Sequence, residues 1–269
     1  NLAFCFFVGL ICILPVVHML AVSLSSKQAV FARHVYFWPV EFTLDSYRLV
    51  VQDAQFFVSY LVSIKRVALG WIIQMSMTLL AAYHLSLRKT VFPARQFFVW
   101  YFLITTLFYG GMIPSYLVVN GTHLFDTIWA LVIPGAVPVF NIILMKNFIK
   151  EIPDGIMESA HIDGAGHLTT LLRITLPLSK ACVATITLFI VLGHWNEWFG
   201  GMIYIRNQAL KPLQTYLRSI IIVDGSVSES TSTTYMEDII SNVTSDSANG
   251  AKTFLALIPT MCLYPFLQK

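Results

Sequence analysis

The sequence predicts an all-α fold, a polytopic membrane helical bundle of about six transmembrane helices, and three observations carry that prediction. The first is composition: 57% of the 269 residues are hydrophobic and 12% are charged, against about 45–50% and about 25% in soluble domains. The second is patterning, because the apolar residues gather in runs of roughly 20, the length that crosses a bilayer as a helix. Mean hydropathy is +0.71. The third is a polar island at 158–177, caught between apolar runs at 127–145 and 181–204. Polar chain joining two spans cannot lie in hydrocarbon, so the island must sit in water beside the membrane. A single transmembrane domain, 1–269, is expected, with an inner loop at 146–180 and an outer loop at 205–250.

Residues 2–24 are the first span. That run has the apolar character of a signal peptide but no convincing small-residue cleavage site. Because the chain starts and stops inside apolar runs, it reads as a portion of a longer protein. Residues 25–55 form a polar outer segment with a turn at Trp38-Pro39, a helix start at Thr43 to Tyr47, and aromatics of the kind that settle at headgroup level. The second span, about 57–83, contains Lys65-Arg66. Counting roughly 20 residues back from Tyr83 puts that pair at the outer mouth. A basic residue at the bilayer centre would instead cost about 2.5–3.5 kcal/mol. Arg88, Lys89 and Arg95 then place the next short loop inside by the positive-inside rule.

The third span is about 97–119. It contains Gly110-Gly111 and Pro114, small residues and a proline that let backbones approach and a helix break. The fourth span holds Pro134 and Pro138, both expected kinks, and a polar Asn141 that needs a partner. The fifth, 181–204, contains Trp195-Asn196-Glu197-Trp198, whose Asn196 and Glu197 are costly in lipid and should face the bundle interior. The outer stretch 206–250 follows, with a Ser/Thr-rich part at 226–234 expected to be mobile. The last span is 251–267.

Several chemistries are excluded. A net charge of +3 is too small to argue for nucleic acid. Cys5, Cys12, Cys182 and Cys262 stand in apolar runs without paired spacing and read as small buried hydrophobes. No two of the seven histidines take the i, i+4 arrangement of a zinc helix, so no metal site is expected. No glycine-rich loop followed by Lys-Ser/Thr occurs, so the chain itself should bind no ATP and no other cofactor.

The polar island has its own grammar. Pro153-Asp154 is a plausible helix start, an acid being favoured there. Ile156, Met157, Ala160 and Ile162 give that short helix an apolar flank. Asp163-Gly164 is a break, since glycine takes the positive φ that ends a helix. Leu168, Leu171, Leu172 and Ile174 then recur at helical spacing until Pro177 stops or kinks the pattern.

The offsets in this island are specific: Glu158-Ser159-Ala160, three residues, Gly164, nine residues, then Ile174, Leu176 and Pro177. They resemble the E-A-A, three residues, G, nine residues, I-x-L-P loop of permease subunits of bacterial binding-protein-dependent ABC importers. Ser159 replaces the middle alanine; Leu171 and Ala181 stand where many members carry an aromatic and a proline. The resemblance extends along nearly the whole chain. Phe37-Trp38-Pro39 with Phe42, Thr43 and Tyr47, then Ala81-Ala82-Tyr83 with Leu85-Ser86, look like family stretches. So do Gly110-Gly111-Met112-Ile113-Pro114-Ser115-Tyr116, the Trp195-Asn196-x-Trp198 pattern and Leu210–Leu217. It is nearest to maltose-type carbohydrate permeases, in the branch for oligosaccharides of acidic polysaccharides such as alginate or pectin.

The resemblance implies a non-catalytic subunit in a bacterial cytoplasmic membrane, paired with a second homologous permease and two cytoplasmic ATPase subunits that hold ATP and Mg. An external solute-binding protein would deliver the oligosaccharide. It also implies roles for residues. Glu158, Ser159, Ala160, Asp163, Gly164 and Ala165, with Ile174, Leu176 and Pro177, would couple to the ATPase. Lys211, Pro212, Leu213, Gln214 and Tyr216 would meet the binding protein. Tyr116, Asn141, Trp195, Asn196 and Trp198 would line the solute path, where aromatics beside amides suit sugar. Lys65 and Arg66 either anchor the helix or face that path and attract an anionic solute. Glu197 either meets sugar or clamps the subunits together. The rival reading, an ion-coupled secondary transporter, wants broken helices and midplane acids in both halves; only Glu197 qualifies.

Overall fold

The computed structural model describes residues 2–108, 110–223 and 243–267, and among them the apolar runs become helices and no strand occurs. The Ser/Thr-rich stretch 226–234 lies outside the described residues. Two compact units divide the rest: Asn1–Val62 with Asn207–Cys262, and Ser63–Arg206 with Leu263–Lys269.

The first unit starts with α1, Leu2–Ser23, a strongly apolar helix whose side chains mostly face outward. The short α2, Lys27–Phe31, is capped by Ser26, which accepts from the Ala29 N–H. The segment after it is tied back to the end of α1: Ser25 Oγ accepts from the Val40 N–H at 3.0 Å, and the Thr43 N–H donates to the Leu24 carbonyl at 3.0 Å. Trp38, Phe42 and Tyr36 stay exposed, as aromatics at a headgroup boundary would. Helix α3, Asp45–Gln52, follows Thr43 as expected, with Thr43 Oγ1 donating to Asp45 at 2.8 Å.

Helix α4, Ala54–Ser86, is 33 residues long. At 1.5 Å per residue that is about 50 Å, more than the roughly 30 Å hydrocarbon core. Its later part belongs to the second unit. There α5, Arg95–Leu107, and α6, Met112–Gly121, meet at 113°, so the expected third span is two helices. Pro114 stands in the first turn of α6, where its missing N–H costs nothing. The fourth span is also bent. Two short 3₁₀ turns, Ile128–Leu131 and Ile133–Gly135, hold Pro134, and after Pro138 the chain turns by 47° into α7, Val139–Ile149.

Helix α8, Asp154–Ile162, begins just after Pro153. Helix α9, His167–Leu178, relaxes to a π-helical turn over Leu171–Thr175, carries Pro177 without stopping, and turns by 87° at Ser179 into α10, Lys180–Asn196. The expected fifth span ends earlier than the apolar run does. Glu197 is extended, and α11, Phe199–Tyr204, restarts beyond it. Among the described residues, two helices are long and apolar enough to cross a membrane, or up to five spans if each bent pair counts as one. The core of this unit joins Met75, Ala82, Tyr83 and Leu85 of α4 to Ile142, Met145 and Ile149 of α7. Leu171 of α9 and Cys182, Ile186 and Ile190 of α10 complete it. Cys5, Cys12 and Cys262, expected to be buried, are instead exposed on the surface of this chain; only Cys182 is buried. Apolar helix faces in a membrane bundle need not turn inward, because lipid is as apolar as the core.

The outer loop closes the first unit with α12, Leu213–Val223, and α13, Ser245–Leu267, which contains the expected last span. Here Asp53, at the start of α4, accepts from Lys252 Nζ of α13 at 2.6 Å and from the Tyr216 hydroxyl of α12 at 2.5 Å. Burial alone would raise the Asp53 pKa. The hydrogen bonds from Lys252 and Tyr216, with the Lys252 charge, outweigh it and hold the carboxyl below its ordinary value. Tyr216 is pushed up, by burial first and by Asp53 second.

Lys252→Met strands a half-buried carboxylate, and breaking such a pair should cost about 3 kcal/mol in thermal stability of the purified protein. Because folding lowers the Asp53 pKa, its contribution is complete above the unfolded value of about 3.9 and is lost as pH falls through the folded one. The melting temperature of the wild type should therefore drop more steeply below pH 4 than that of Asp53→Asn. Parallel profiles would remove the pair from the stability balance.

Candidate functional site

Two features of the second unit combine polar groups with a shape that can act. The first is the arm made of α8, its turn and α9. Gly164 has φ +76° and closes α8, with the Asp163 and Ala165 N–H groups donating back to Ser159 and Ala160 at 2.9 Å. This is the left-handed cap expected for the Asp163-Gly164 pair. The apolar flank expected of α8 is split in two. Met157 packs against the core and Ala160 is buried, whereas Ile156 is exposed and Ile162 is 85% exposed. On α9 the same division holds: Leu171 lies in the core while Leu168 and Leu172 face outward. Helical neighbours one position apart point about 100° away from each other, so one apolar stretch supplies both an anchoring face and a free one.

Arg88 holds the other side of α8. Its guanidinium reaches Asp154 and Glu158, each at 2.8 Å, one turn apart. Tyr83, buried at the end of α4, approaches His167 Nδ1 at 3.2 Å. The arm is therefore tied to the bundle by packing at Leu171 and Met157, and by exposed charge at Arg88.

The second feature is a cavity of about 370 Å³ walled by α4, the broken fourth span, α10 and α11. Arg66, Gly70 and Gln74 stand at i, i+4 and i+8, on one face of α4. Arg66 is 3% exposed. One of its terminal nitrogens donates to the Glu197 carbonyl at 2.9 Å and the other to the Glu197 carboxylate, while its Nε has no partner among the described residues. The same carboxylate accepts from the Gly200 N–H at 2.5 Å. His194 lies over Gly70, where an added Cβ would come within 2.2 Å of its Nε2. Gln74 donates to the Gly135 carbonyl at 2.8 Å, which satisfies a backbone group freed by the break at Pro134 and Pro138. Asn141, Phe189, Phe199 and Tyr204 are also part of the lining.

Of the residues expected along a solute path, Arg66, Asn141 and Glu197 meet at this cavity. Lys65 does not, because it is exposed on the face of α4 turned away from Arg66. The two basic residues thus have separate surroundings. Asn196 is exposed rather than interior, Trp195 is buried and Trp198 is exposed; none of them lines the cavity. The helix ends at Asn196, and Glu197, in extended backbone just beyond it, is the one of the pair that lines the cavity. Tyr116 stacks on Tyr204 with centroids 6.4 Å apart, behind the lining. The structure buries Pro212 and Leu213 and engages the Tyr216 hydroxyl with Asp53. Lys211 and Gln214 are half-buried. His194, Gln74, Gly70 and Arg88 were missed from sequence; the i, i+4, i+8 stripe on α4 was the available signal.

Residues 90–223 match the family described as binding-protein-dependent transport system inner membrane components. The chain is 36% identical over 267 residues to the polygalacturonan/rhamnogalacturonan transport system permease protein YtcP of Bacillus subtilis (strain 168), covering 97% of this chain and 90% of that protein. This chain belongs to the binding-protein-dependent transport permeases. The permease also superimposes, with a TM-score of 0.91, 31% identity and coverage of 100% of this chain and 94% of the other, on a solved bacterial ABC transporter involved in the import of the acidic polysaccharide alginate. A chain of the bacterial alginate ABC transporter solved in complex with an alginate pentasaccharide-bound periplasmic protein shares the fold, with a TM-score of 0.57, 14% identity, and coverage of 99% of this chain and 92% of that one. Permeases of this kind make and break no covalent bond, and membership replaces the ion-coupled secondary transporter as the reading of the chain.

Gly70→Ala places a methyl group into the ring of His194, and overpacking of that kind should cost the permease about 1–3 kcal/mol. Adding His194→Ala should restore most of the loss in thermal stability. A Gly70→Ala protein as stable as the wild type would show that His194 does not lie there.

Proposed function

We propose that the permease is one of two homologous transmembrane subunits of an importer for oligosaccharides of acidic polysaccharides, multi-pass in a bacterial cytoplasmic membrane. An external solute-binding protein delivers the sugar, and two cytoplasmic ATPase subunits, which hold the ATP and Mg, power the cycle. The acidic class is supported by relatives whose names concern polygalacturonan, rhamnogalacturonan and alginate.

The observation that carries the reading is the two-faced arm. Ile162, Leu168 and Leu172 are exposed, as is the carboxylate of Glu158, while Leu171 of the same arm sits in the bundle core and Met157 packs against it. Outward apolar residues next to charge make a docking surface for a soluble subunit. Inward ones make the arm continuous with α4, α7 and α10. When the ATPases close on ATP, they pull on the arm, and the spans rock between inward- and outward-facing states. Ile174, Leu176 and Pro177 lie where the arm turns into α10 and transmit the pull.

Gly164 is the sharpest place to test this. Its Cβ position is open, so Gly164→Ala adds only the strain of a left-handed residue, about 1–2 kcal/mol, and should keep measurable uptake. Gly164→Pro cannot adopt φ +76° and should abolish uptake and binding-protein-stimulated ATP hydrolysis. Glu158→Lys should do the same, while the binding protein keeps its affinity for solute. Normal uptake in both severe variants would end the lever role. Arg88→Gln should weaken coupling less than either, lowering transported solute per ATP by about two- to threefold, because exposed ion pairs are individually weak.

A further inference from the structure

We propose that Arg66 and Glu197 form a carboxylate-exchange clasp, which a uronate residue of the solute opens by taking the place of Glu197 on the Arg66 guanidinium. The proposal rests on the acidic-oligosaccharide reading above and adds how the permease itself discriminates.

The argument starts from burial. Arg66 is 3% exposed, deep for a group that is always charged, and among the described residues its hydrogen bonds go to Glu197, to carboxylate and carbonyl together. Removing the partner of a buried ion pair leaves an uncompensated charge, which is far more costly than exchanging that partner for another of the same charge. A neutral sugar that parts the clasp has to bear that cost. A sugar carrying a carboxylate does not, because its own oxygens accept from the guanidinium in the bidentate geometry that arginine favours.

Glu197, for its part, has somewhere to go. Its carboxylate already accepts from the Gly200 N–H, and its side chain is 35% exposed, whereas that of Arg66 is 4% exposed. Glu197 thus stands at the cavity side, with a second bond to retain when Arg66 lets go. Two further polar nitrogens lie close by without partners among the described residues. Arg66 Nε is one, and His194 Nε2, pressed on Gly70 one turn along α4, is available to a solute once α4 and α10 shift. The cavity volume of about 370 Å³ falls within the usual range for ligand sites, about 300–1,000 Å³. Phe189, Phe199 and Tyr204 offer apolar faces to sugar rings.

The clasp also sits at a mechanical joint. Glu197 is the first residue of the break between α10 and α11, so its release loosens the break in the fifth span from α4. A solute carboxylate then does two things at once: it binds, and it frees a hinge.

The test uses the intact complex with its sister permease, ATPases and binding protein in proteoliposomes. Initial uptake of an alginate-derived oligosaccharide is compared with that of its methyl ester, each over a series of concentrations of the solute-loaded binding protein. Wild type should favour the acid at least tenfold. In Arg66→Gln/Glu197→Gln, which removes both charges, that ratio should fall to within about twofold of one, with the ATPase subunits still co-purifying. Glu197→Gln alone leaves Arg66 without its competitor, so the KM of acid and ester should both fall about tenfold while their ratio holds. A double variant that assembles and keeps the wild-type ratio overturns the clasp, and so does an unchanged or raised KM in Glu197→Gln. Equal uptake of acid and ester by the wild type overturns the clasp and leaves oligosaccharide import standing. Uptake of neither probe, or of a galacturonate oligosaccharide tried in their place, sinks the acidic-oligosaccharide reading and the clasp with it.

Discussion

The packing of Leu171 into the core of α4, α7 and α10 is the contact on which the rest of the second unit depends. The arm is polar enough to live in water, and by itself it would be a solvated connector with little reason to hold a fixed orientation. One fully apolar side chain, 3% exposed, with Met157 and Tyr83 beside it, makes the arm part of the bundle. In the proposed coupling, force applied to its outer face reaches α4, α7 and α10, which each contribute to the cavity wall. Fully burying a leucine is worth about 1.5–3 kcal/mol, which exceeds what the exposed Arg88 pairs contribute. Packing sets the position of the arm, and charge adjusts it.

The breaks in the spans belong to the same design. A membrane helix that stops mid-bundle exposes carbonyl and N–H groups, and these persist only where neighbouring groups satisfy them. Gln74 supplies one such bond at Gly135, and Arg66 another at the Glu197 carbonyl. Both side chains lie on one face of α4, so that helix acts as the support for two discontinuous partners. Polar groups inside the bundle therefore mark places where the backbone is irregular, and they are also the places where a polar solute finds donors and acceptors.

Much of this was legible in the sequence, and the limits have physical causes. The offsets of Glu158, Gly164 and Pro177 gave the arm, its left-handed cap and its place between two spans. Gly164 could be read because one backbone conformation excludes most residue types. Pro134, Pro138 and Gly110-Gly111 marked breaks correctly, but no local signal fixes an angle of 47°, 87° or 113°; neighbouring helices set it. Lys65 and Arg66 looked like one feature since they are adjacent, yet adjacent residues on a helix face different surroundings, and only Arg66 turns to the cavity. Asn196 and Glu197 were both expected inside for a related reason: their polarity is alike, but α10 ends between them and only Glu197 lines the cavity. Arg88 and His194 acquire their meaning from partners 66 or more positions away, at Asp154 and Glu158 for one and at Gly70, over a hundred residues back, for the other. Such pairings are tertiary facts that no window along the chain contains.

The most direct measurement of the lever is site-specific cross-linking from the tip of the arm in the intact complex. Ile162 is 85% exposed and lies just before the Gly164 cap, so Ile162→Cys is expected to leave the fold unchanged. With a short bifunctional reagent it should cross-link to an ATPase subunit, with a yield that changes when ATP is added. A residue 162 that cross-links only to the external binding protein, or to no partner while the complex remains active and assembled, would contradict the lever.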